Sequence, residues 1–286
     1  MALKPKLTAG DPYPPGYTEK VHSEAHHLMS SSTHEPSDFS LAAPILLGET
    51  PEDTCPYLAQ QRATLAFYKI ILPSGRDFDA ALENGFRRHG SLFYQPACAA
   101  CRECVPIRVG VADFAPSKSQ RRLLRRHASS YEVRILELKP QDEHVELFNK
   151  HAKMISSSAQ TFSSGDYGEF LVDSDVETRL LEYRFSAGGE NSGRLIGVSF
   201  LDLGEKAVSS CYFFWDPEFG DMSPGTFSAL WEIDWCRQRG YRYYYLGYWI
   251  RDCQSMSYKS RFQPHERRDW SSGQWVREPP EERRTS

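Results

Sequence analysis

The stretch Ala207-Val-Ser-Ser-Cys-Tyr-Phe-Phe-Trp215-Asp216-Pro217, then Thr226 to Gln238, then Gly240-Tyr241-Arg-Tyr-Tyr-Tyr-Leu-Gly-Tyr-Trp249, decides the fold. Ala207 to Trp215 reads as a strand that Asp216-Pro217 ends. Thr226 to Gln238 reads as a helix closed by Gly240 as its C-terminal cap. Tyr241 to Trp249 reads as a second strand. A strand–helix–strand unit sets its two strands parallel. Upstream, Leu180 to Phe185 and Leu195 to Leu203 read as two more strands, and Gly204-Glu205-Lys206 as a short hairpin turn into the third.

This order is similar to the acyltransferase fold of the N-acetyltransferase superfamily, in which two central parallel strands part and hold an acyl group between them. The expected class is therefore α+β: an N-acetyltransferase-like (GNAT) mixed sheet with flanking helices, preceded by a smaller cysteine-containing N-terminal region. One detail separates the chain from enzymes that use acetyl-CoA. A pyrophosphate needs a loop of free backbone N–H groups before the helix. Here the loop is Asp221-Met222-Ser223-Pro224-Gly225-Thr226, with one glycine and a proline that removes a donor. A different acyl carrier is expected.

The first half supplies a candidate. Cys98-Ala-Ala-Cys101-Arg-Glu-Cys104 runs into Val105-Pro106-Ile107-Arg108, and Ser117-Lys118-Ser-Gln-Arg121-Arg122-Leu-Leu-Arg125-Arg126 follows. Ser117 is an N-cap for a helix. Lys118, Arg122, Arg125 and Arg126 fall roughly on one face, and no acid occurs from Phe114 to Tyr131. A merely soluble helix interleaves both signs. Between Arg87 and His127 nine Lys or Arg face only Glu103 and Asp113, in a chain of formal net charge −4. A compact cationic patch on an acidic protein fits docking on one RNA, not the general coating of DNA. Strands are expected at Thr64 to Ile71, Leu92 to Tyr94 and Arg108 to Val111, with helices at Asp77 to Phe86, His144 to Ser156 and Gly168 to Val172.

The 286 residues, 40% hydrophobic, suffice for one large domain or two small ones. Residues 1–50 are polar and expected to be a disordered extension, and 267–286 a loose tail. Residues 51–137 form the region with the cysteines and the basic helix, and 138–266 the acyltransferase-like domain. No run of 18 apolar residues and no apolar N-terminal core is present, so no membrane association and a cytoplasmic location are expected. Seven cysteines in such a protein read as metal or redox chemistry. The Cys-x₂-Cys-x₂-Cys run lacks a fourth cysteine nearby, and Cys55 can complete a four-thiolate site for zinc or an iron–sulfur cluster. Buried cysteines without metal are the alternative. His22, His26, His27 and His34 are weaker metal candidates. Cys211, Cys236 and Cys253 read as structural.

Longer strings carry a more specific likeness. Cys55-Pro-Tyr57-Leu58, Gly85-Phe-Arg87-Arg88, Tyr94-Gln-Pro-Ala-Cys98, Cys101-Arg-Glu-Cys104-Val-Pro-Ile-Arg108 and Ser117-Lys-Ser-Gln-Arg121-Arg122 belong to it. So do Phe213-Phe-Trp-Asp216-Pro217, Tyr245-Leu-Gly-Tyr248-Trp249-Ile250 and Met256-Ser-Tyr258-Lys259. From about 55 to 266 the chain resembles the aminoacyl-tRNA–protein transferases of the N-degron pathway, the bacterial leucyl-transferring branch above all. The resemblance implies transfer of leucine from charged tRNA to the α-amine of proteins that begin with Asp or Glu, marking them for degradation. Arginine as the transferred group, a non-catalytic RNA-binding module with a zinc knuckle, and a CoA-dependent N-acyltransferase are the alternatives. The chain departs from the pattern at Lys153-Met154-Ile155, at Ser255 before Met256 and at Trp215.

The donor ester is already activated, and an α-amine of pKa near 8 is partly neutral at pH 7. Positioning supplies most of the acceleration, so neither a nucleophile triad nor a cofactor is required for the chemistry. Arg87, Arg88, Lys118, Arg121, Arg122, Arg125 and Arg126 are candidates for tRNA phosphates. Trp249 is a candidate to stack on the terminal adenosine. Lys259 or Arg251 is expected to read the acceptor's carboxylate. Asp216 and Tyr248, at strand ends expected to face each other, orient amine and ester, and Tyr258 donates to the developing oxyanion.

Overall fold

The computed structural model describes residues 43–277 apart from 73, 156–158, 187 and 189. Strands β1 (Ile45–Glu49), β2 (Asp53–Thr54), β3 (Arg62–Ala63) and β4 (Leu65–Lys69) lead to helix α1 (Gly75–Glu83), then β5 (Arg87–His89) and β6 (Leu92–Pro96). β1, β4, β6 and β5 form a four-stranded sheet in that order, antiparallel throughout. The strand β1 and its pairing to β4 correct the expectation that residues up to 50 are disordered. The Ile45-Leu46-Leu47 run is the apolar signal that the polar surroundings hid. Residues 1–42, with the four histidines, lie outside the described residues.

The chain continues through β7 (Val105–Gly110), α2 (Lys118–His127), β8 (Tyr131–Leu136), α3 (Asp142–Ile155), α4 (Ser164–Tyr167) and a π turn at Gly168–Val172. Then come β9 (Glu177–Phe185), β10 (Leu195–Leu203), β11 (Ala207–Trp215), α5 (Pro224–Gln238), β12 (Tyr243–Trp249), α6 (Gln254–Ser257), a 3₁₀ turn at Tyr258–Arg261, β13 (His265–Arg268) and β14 (Trp275–Arg277). The large sheet has eight strands in the order β14-β13-β7-β12-β11-β10-β9-β8. Only β11 and β12 are parallel, as their connection through α5 requires. The α+β class, the three consecutive strands and the helix between the parallel pair match the sequence reading.

The boundary expected at 137 does not divide this sheet. β7 pairs with β12 on one side and β13 on the other, and β8 pairs with β9. Nor is 267–286 all loose tail: β13 reaches Arg268 and β14 extends the sheet to Arg277. Arg108 of β7 holds this end together. It is 4% exposed, pairs with Glu266 at 2.8 Å, donates to Tyr245 Oη at 2.7 Å, and lies 4.1 Å from the Trp275 ring.

Helix α5 covers one face of the sheet with Phe227, Leu230, Ile233 and Trp235, all buried. Each such side chain contributes about 1.5–3 kcal/mol of burial. The four-stranded sheet and α1 cover the other face, where Phe78, Phe93 and Tyr245 meet. Asp79 of α1 locks the docking. It accepts from the Lys206 and Ala207 amides at 2.8 and 3.1 Å, under the β10–β11 turn. Gly204 is obligatory there, because a Cβ would come 1.9 Å from Asp79 Oδ1.

Candidate functional site

β11 and β12 pair only at Ala207–Ser209 with Tyr243–Tyr245, then part. Arg87, arriving on β5, fills the base of the gap between them. Its guanidinium donates to Ser209 Oγ at 2.6 Å, and to the Ser210 and Cys211 carbonyls at 2.6 and 3.1 Å, all on β11. On the β12 side it lies against Gly247, whose φ of 90° marks the bulge between Tyr245 and Gly247.

Lys259 closes the gap from the 3₁₀ turn after β12. Its Nζ donates to the Tyr248 carbonyl at 2.7 Å. The residue is half-buried while its ammonium end is enclosed. Burial first, then the neighbouring charge of Arg87, lowers its pKa to about 7. Among the described residues neither Arg87 nor Lys259 forms an ion pair with a carboxylate. Two cations thus converge on the gap with backbone carbonyls and a serine as partners. The charge of the pair is not balanced by any described carboxylate.

On the α5 side sits a group the sequence reading missed. Glu232 is 1% exposed and accepts hydrogen bonds from Tyr183 Oη at 2.9 Å and from Tyr244 Oη. Burial pushes its carboxyl up to about 7, against the pull of those hydroxyls. Tyr258 is near it: burial, then the Glu232 charge, raises the Tyr258 hydroxyl to about 12. The signal was present in the sequence. Glu232 shares a helical face with Ala229, Ile233 and Cys236, where a solvated carboxylate does not belong.

Asp216 and Tyr248 do not face each other. The last β11–β12 pair is Ser209 with Tyr245. At ~3.3 Å per residue Asp216 stands roughly 23 Å further along one strand, and Tyr248 roughly 10 Å along the other. Asp216 instead anchors a charged corner with Lys150 and Arg194, each at 2.7 Å, and accepts from the Glu218 amide at 3.0 Å. Burial would raise its carboxyl, but Lys150, that amide and Arg194 outweigh it and hold it low. Tyr248 turns the other way and donates to the Gly85 carbonyl at 2.9 Å.

Three further expectations are corrected. Arg88 cannot meet phosphate: it pairs with Asp202 at 2.8 Å with both side chains 1% exposed, and also donates to the Gly90 carbonyl. Trp249 is 7% exposed, donates to the Ser257 carbonyl, and has Arg267 at 4.2 Å over its ring, so no face is open to a base. Arg251 is exposed, 5.8 Å from the same ring, and does not enter the gap.

The basic helix stands as read. Ser117 and Gln120 make a capping box, and Lys118, Arg121, Arg122, Arg125 and Arg126 are all exposed with no ion pair among the described residues. Leu123 and Leu124 pack against the core. The four cysteines Cys55, Cys98, Cys101 and Cys104 line one cavity of about 30 Å³ beside Tyr94 and Tyr248. Burial, then the other three sulfurs, drives the Cys104 thiol pKa up. Among the described residues no three His, Cys, Asp or Glu side chains stand in metal-holding geometry.

Residues 53–122 match the family described as "Arginine-tRNA-protein transferase, N terminus", and residues 143–269 match "Arginine-tRNA-protein transferase, C terminus". The chain is 36% identical over 234 residues to the aspartate/glutamate leucyltransferase of Saccharophagus degradans, covering 81% of this chain and 95% of that one. It is 37% identical over 229 residues to that of Stenotrophomonas maltophilia K279a, covering 78% and 90%. Among solved structures, L-PGS from Bacillus licheniformis is similar at a TM-score of 0.40 and 11% identity, over 61% of this chain and 50% of that one. An α+β transferase is the class that fold, site and relatives define. The chain belongs to the arginine-tRNA-protein transferase family.

Proposed function

We propose that this protein transfers leucine from charged tRNA to the α-amine of proteins whose first residue is Asp or Glu. The relatives that cover nearly their whole length on this chain carry the name of that activity. The observation that carries the reading is the gap between β11 and β12, where Arg87 and Lys259 converge without a carboxylate. An Asp or Glu side chain supplies the missing charge, and its own α-amine is then held beside the sheet. Arg87 thereby moves from the tRNA set to the acceptor set, and Arg251 leaves it.

The ester needs alignment more than activation, and a gap in which Arg87 and Lys259 are fixed by hydrogen bonds supplies it. The fold reads as N-acetyltransferase-like, with the parted strands holding the acyl group. The approach to α5 suits RNA better than CoA: Ser223 caps it with φ 54° and no side-chain bond, and Pro224 opens it without an N–H. The exposed face of α2 is the docking surface for the tRNA acceptor arm. Substrates of this kind place the protein in the cytoplasm, and no described helix is long and apolar enough to cross a membrane.

Four sulfur donors and Glu103 line one small cavity, not drawn together into metal-holding geometry, and thiolates are the donor type that suits a soft metal. Cys55, Cys98, Cys101 and Cys104 would hold structural zinc or an iron–sulfur cluster there, outside the transfer chemistry. Anaerobic purification with elemental analysis and a visible spectrum tests this, and a protein with neither zinc nor iron overturns it.

The test of function is direct. Purified protein receives labelled leucyl-tRNA, arginyl-tRNA or acetyl-CoA with peptides beginning Asp, Glu or Ala. Transfer of leucine to Asp and Glu peptides alone is expected. Arginine transfer only, or acetyl transfer, overturns the reading. Lys259→Met keeps the stem and removes the charge. It is expected to lose the acidic acceptors while still binding leucyl-tRNA.

A further inference from the structure

We propose that Gln120 is a positioning residue for the transfer: its side-chain amide ties the base of the tRNA-docking helix α2 to the turn that carries Lys259, and so sets that cation at a fixed place relative to the bound tRNA. This rests on the function proposed above and adds the link between its two substrates. Gln120 is 5% exposed, in a helix whose lysine and arginines all face solvent. Its two polar atoms have different partners. Oε1 accepts from the Ser117 amide at 2.8 Å and closes the capping box. Nε2 donates to the Arg261 carbonyl at 3.2 Å, 141 residues further along the chain.

Arg261 ends the 3₁₀ turn that holds Lys259. The peptide unit between Arg261 and Phe262 takes part in both bonds that matter. Its C=O accepts from Gln120, and its N–H donates to the Lys259 carbonyl at 3.2 Å. Lys259 Nζ in turn donates to the Tyr248 carbonyl at 2.7 Å, at the gap. One peptide unit therefore separates the helix side chain from the backbone of Lys259. The turn is otherwise tied to itself: Ser260 Oγ donates to the Ser257 carbonyl at 2.9 Å, and Gln263 Nε2 to the Ser260 carbonyl at 2.8 Å. Packing seats it against the approach to α2. Phe262, 1% exposed, stacks on Phe114 at 6.1 Å, and the Ala115 amide donates to the Gln263 carbonyl at 3.4 Å.

The residue type fits this double task. A capping box takes Glu or Gln at this position. Glutamate supplies the acceptor for Ser117 but no N–H, and would set an oxygen against the Arg261 carbonyl. Glutamine satisfies both ends, and keeps the stretch from Phe114 to Tyr131 free of acid where phosphates dock. The transfer needs the bond. The tRNA is held on α2, while the acceptor's carboxylate is held by Lys259 and Arg87. A misplacement of about 1 Å between ester and amine costs on the order of 100-fold. Gln120 joins the two frames and touches neither substrate.

The experiment measures leucyl transfer to Asp peptides at saturating leucyl-tRNA for wild type, Gln120→Glu, Ser117→Ala, Lys259→Met and the Lys259→Met, Gln120→Glu pair. Gln120→Glu keeps the capping box and removes the donor to Arg261. Its kcat/KM for the peptide is expected to fall about tenfold or more, mainly through KM, with leucyl-tRNA affinity close to wild type. Ser117→Ala weakens the cap and keeps the donor. It is expected to lower the unfolding temperature and leave kcat/KM near wild type. In the Lys259→Met background, Gln120→Glu is expected to cost no further rate, because the group it positions is gone. A folded Gln120→Glu with wild-type kcat/KM overturns the proposal. So does a loss of equal size with and without Lys259, which marks a general weakening of the fold. Equal impairment by Ser117→Ala assigns the loss to the cap and overturns it as well. If Gln120→Glu does not fold, Gln120→Met removes the same donor, and a folded Gln120→Met with wild-type kcat/KM overturns it equally. Wild-type protein that transfers nothing to Asp peptides sinks the underlying function instead.

Discussion

The guanidinium of Arg87 and the backbone of Gly247 meet across the strand gap: a side-chain carbon on Gly247 would stand 3.3 Å from Arg87 Cζ. The bulge in β12 therefore makes the room in which Arg87 sits. Gly247→Ala is expected to act twice. Its φ of 90° disfavours any Cβ, by about 1–2 kcal/mol, and the methyl shifts Arg87 from Ser209. Thermal unfolding should shift down, and the KM for Asp peptides should rise more than that for leucyl-tRNA. An unchanged KM would detach Arg87 from acceptor binding.

Arg88 and Asp202 test a different link, from packing to stability. Arg88→Met or Asp202→Asn alone leaves a buried charge or dipole without its partner, at about 3–5 kcal/mol. Urea denaturation reads the loss. Arg88→Met combined with Asp202→Leu should recover most of it. The salt dependence of tRNA binding should not change in any folded variant.

The exposed face of α2 is expected to carry the tRNA. Arg121→Glu, Arg122→Glu and Arg125→Glu together should weaken leucyl-tRNA binding and reduce the slope of log K against log salt by about 2 to 3. Stability should hold, since all three side chains are exposed and form no ion pair among the described residues. Equal affinity and slope would move the docking surface elsewhere.

Glu232 also sets a stability profile. Its folded pKa, about 7, lies above the unfolded value. The folded state therefore binds the extra proton between about pH 4.5 and 7. The stabilisation is fully present below that window and is lost as pH rises through 7, on the order of 3 kcal/mol at most. Unfolding free energy measured at pH 5 and 7.5 should drop for wild type and stay level at this site for Glu232→Gln. A larger drop in the variant would contradict the burial argument.

Much of the fold was legible because its signals are local. Leu195–Leu203 and Ala207–Trp215 run between glycine, proline and polar breaks, and the structure returns both spans unchanged. Strand β5 was not legible. Arg87-Arg88-His89 looks like a solvated cationic run, and what buries it is Asp202, 114 residues away. The same distance effect misplaced Tyr248, whose partner Gly85 lies 163 residues away, whereas Trp249 bonds Ser257 only 8 residues on, across a turn whose path the strings do not show. Asp216 was read from its strand-end position alone, which says where the strand stops and not which way its neighbour has turned. Lys259 was put forward because an acidic acceptor demands a cation, and the structure sets its Nζ on the Tyr248 carbonyl. Glu232 was passed over because Trp231-Glu232-Ile233-Asp234 reads as an ordinary amphipathic turn until its phase is compared with Ala229 and Cys236.

The seating of β7 between β12 and β13 has a consequence for how the chain comes into being. Residues 105–110 leave the ribosome long before 243–249 and 265–267, the only segments that complete their backbone bonding. Until then the first half holds an unsatisfied strand and an open row of thiols. Folding of this protein is thus a late event governed by long-range closure, with a relatively slow rate expected from such topology. A premature stop anywhere before Trp249 yields an aggregation-prone chain and not a smaller working one.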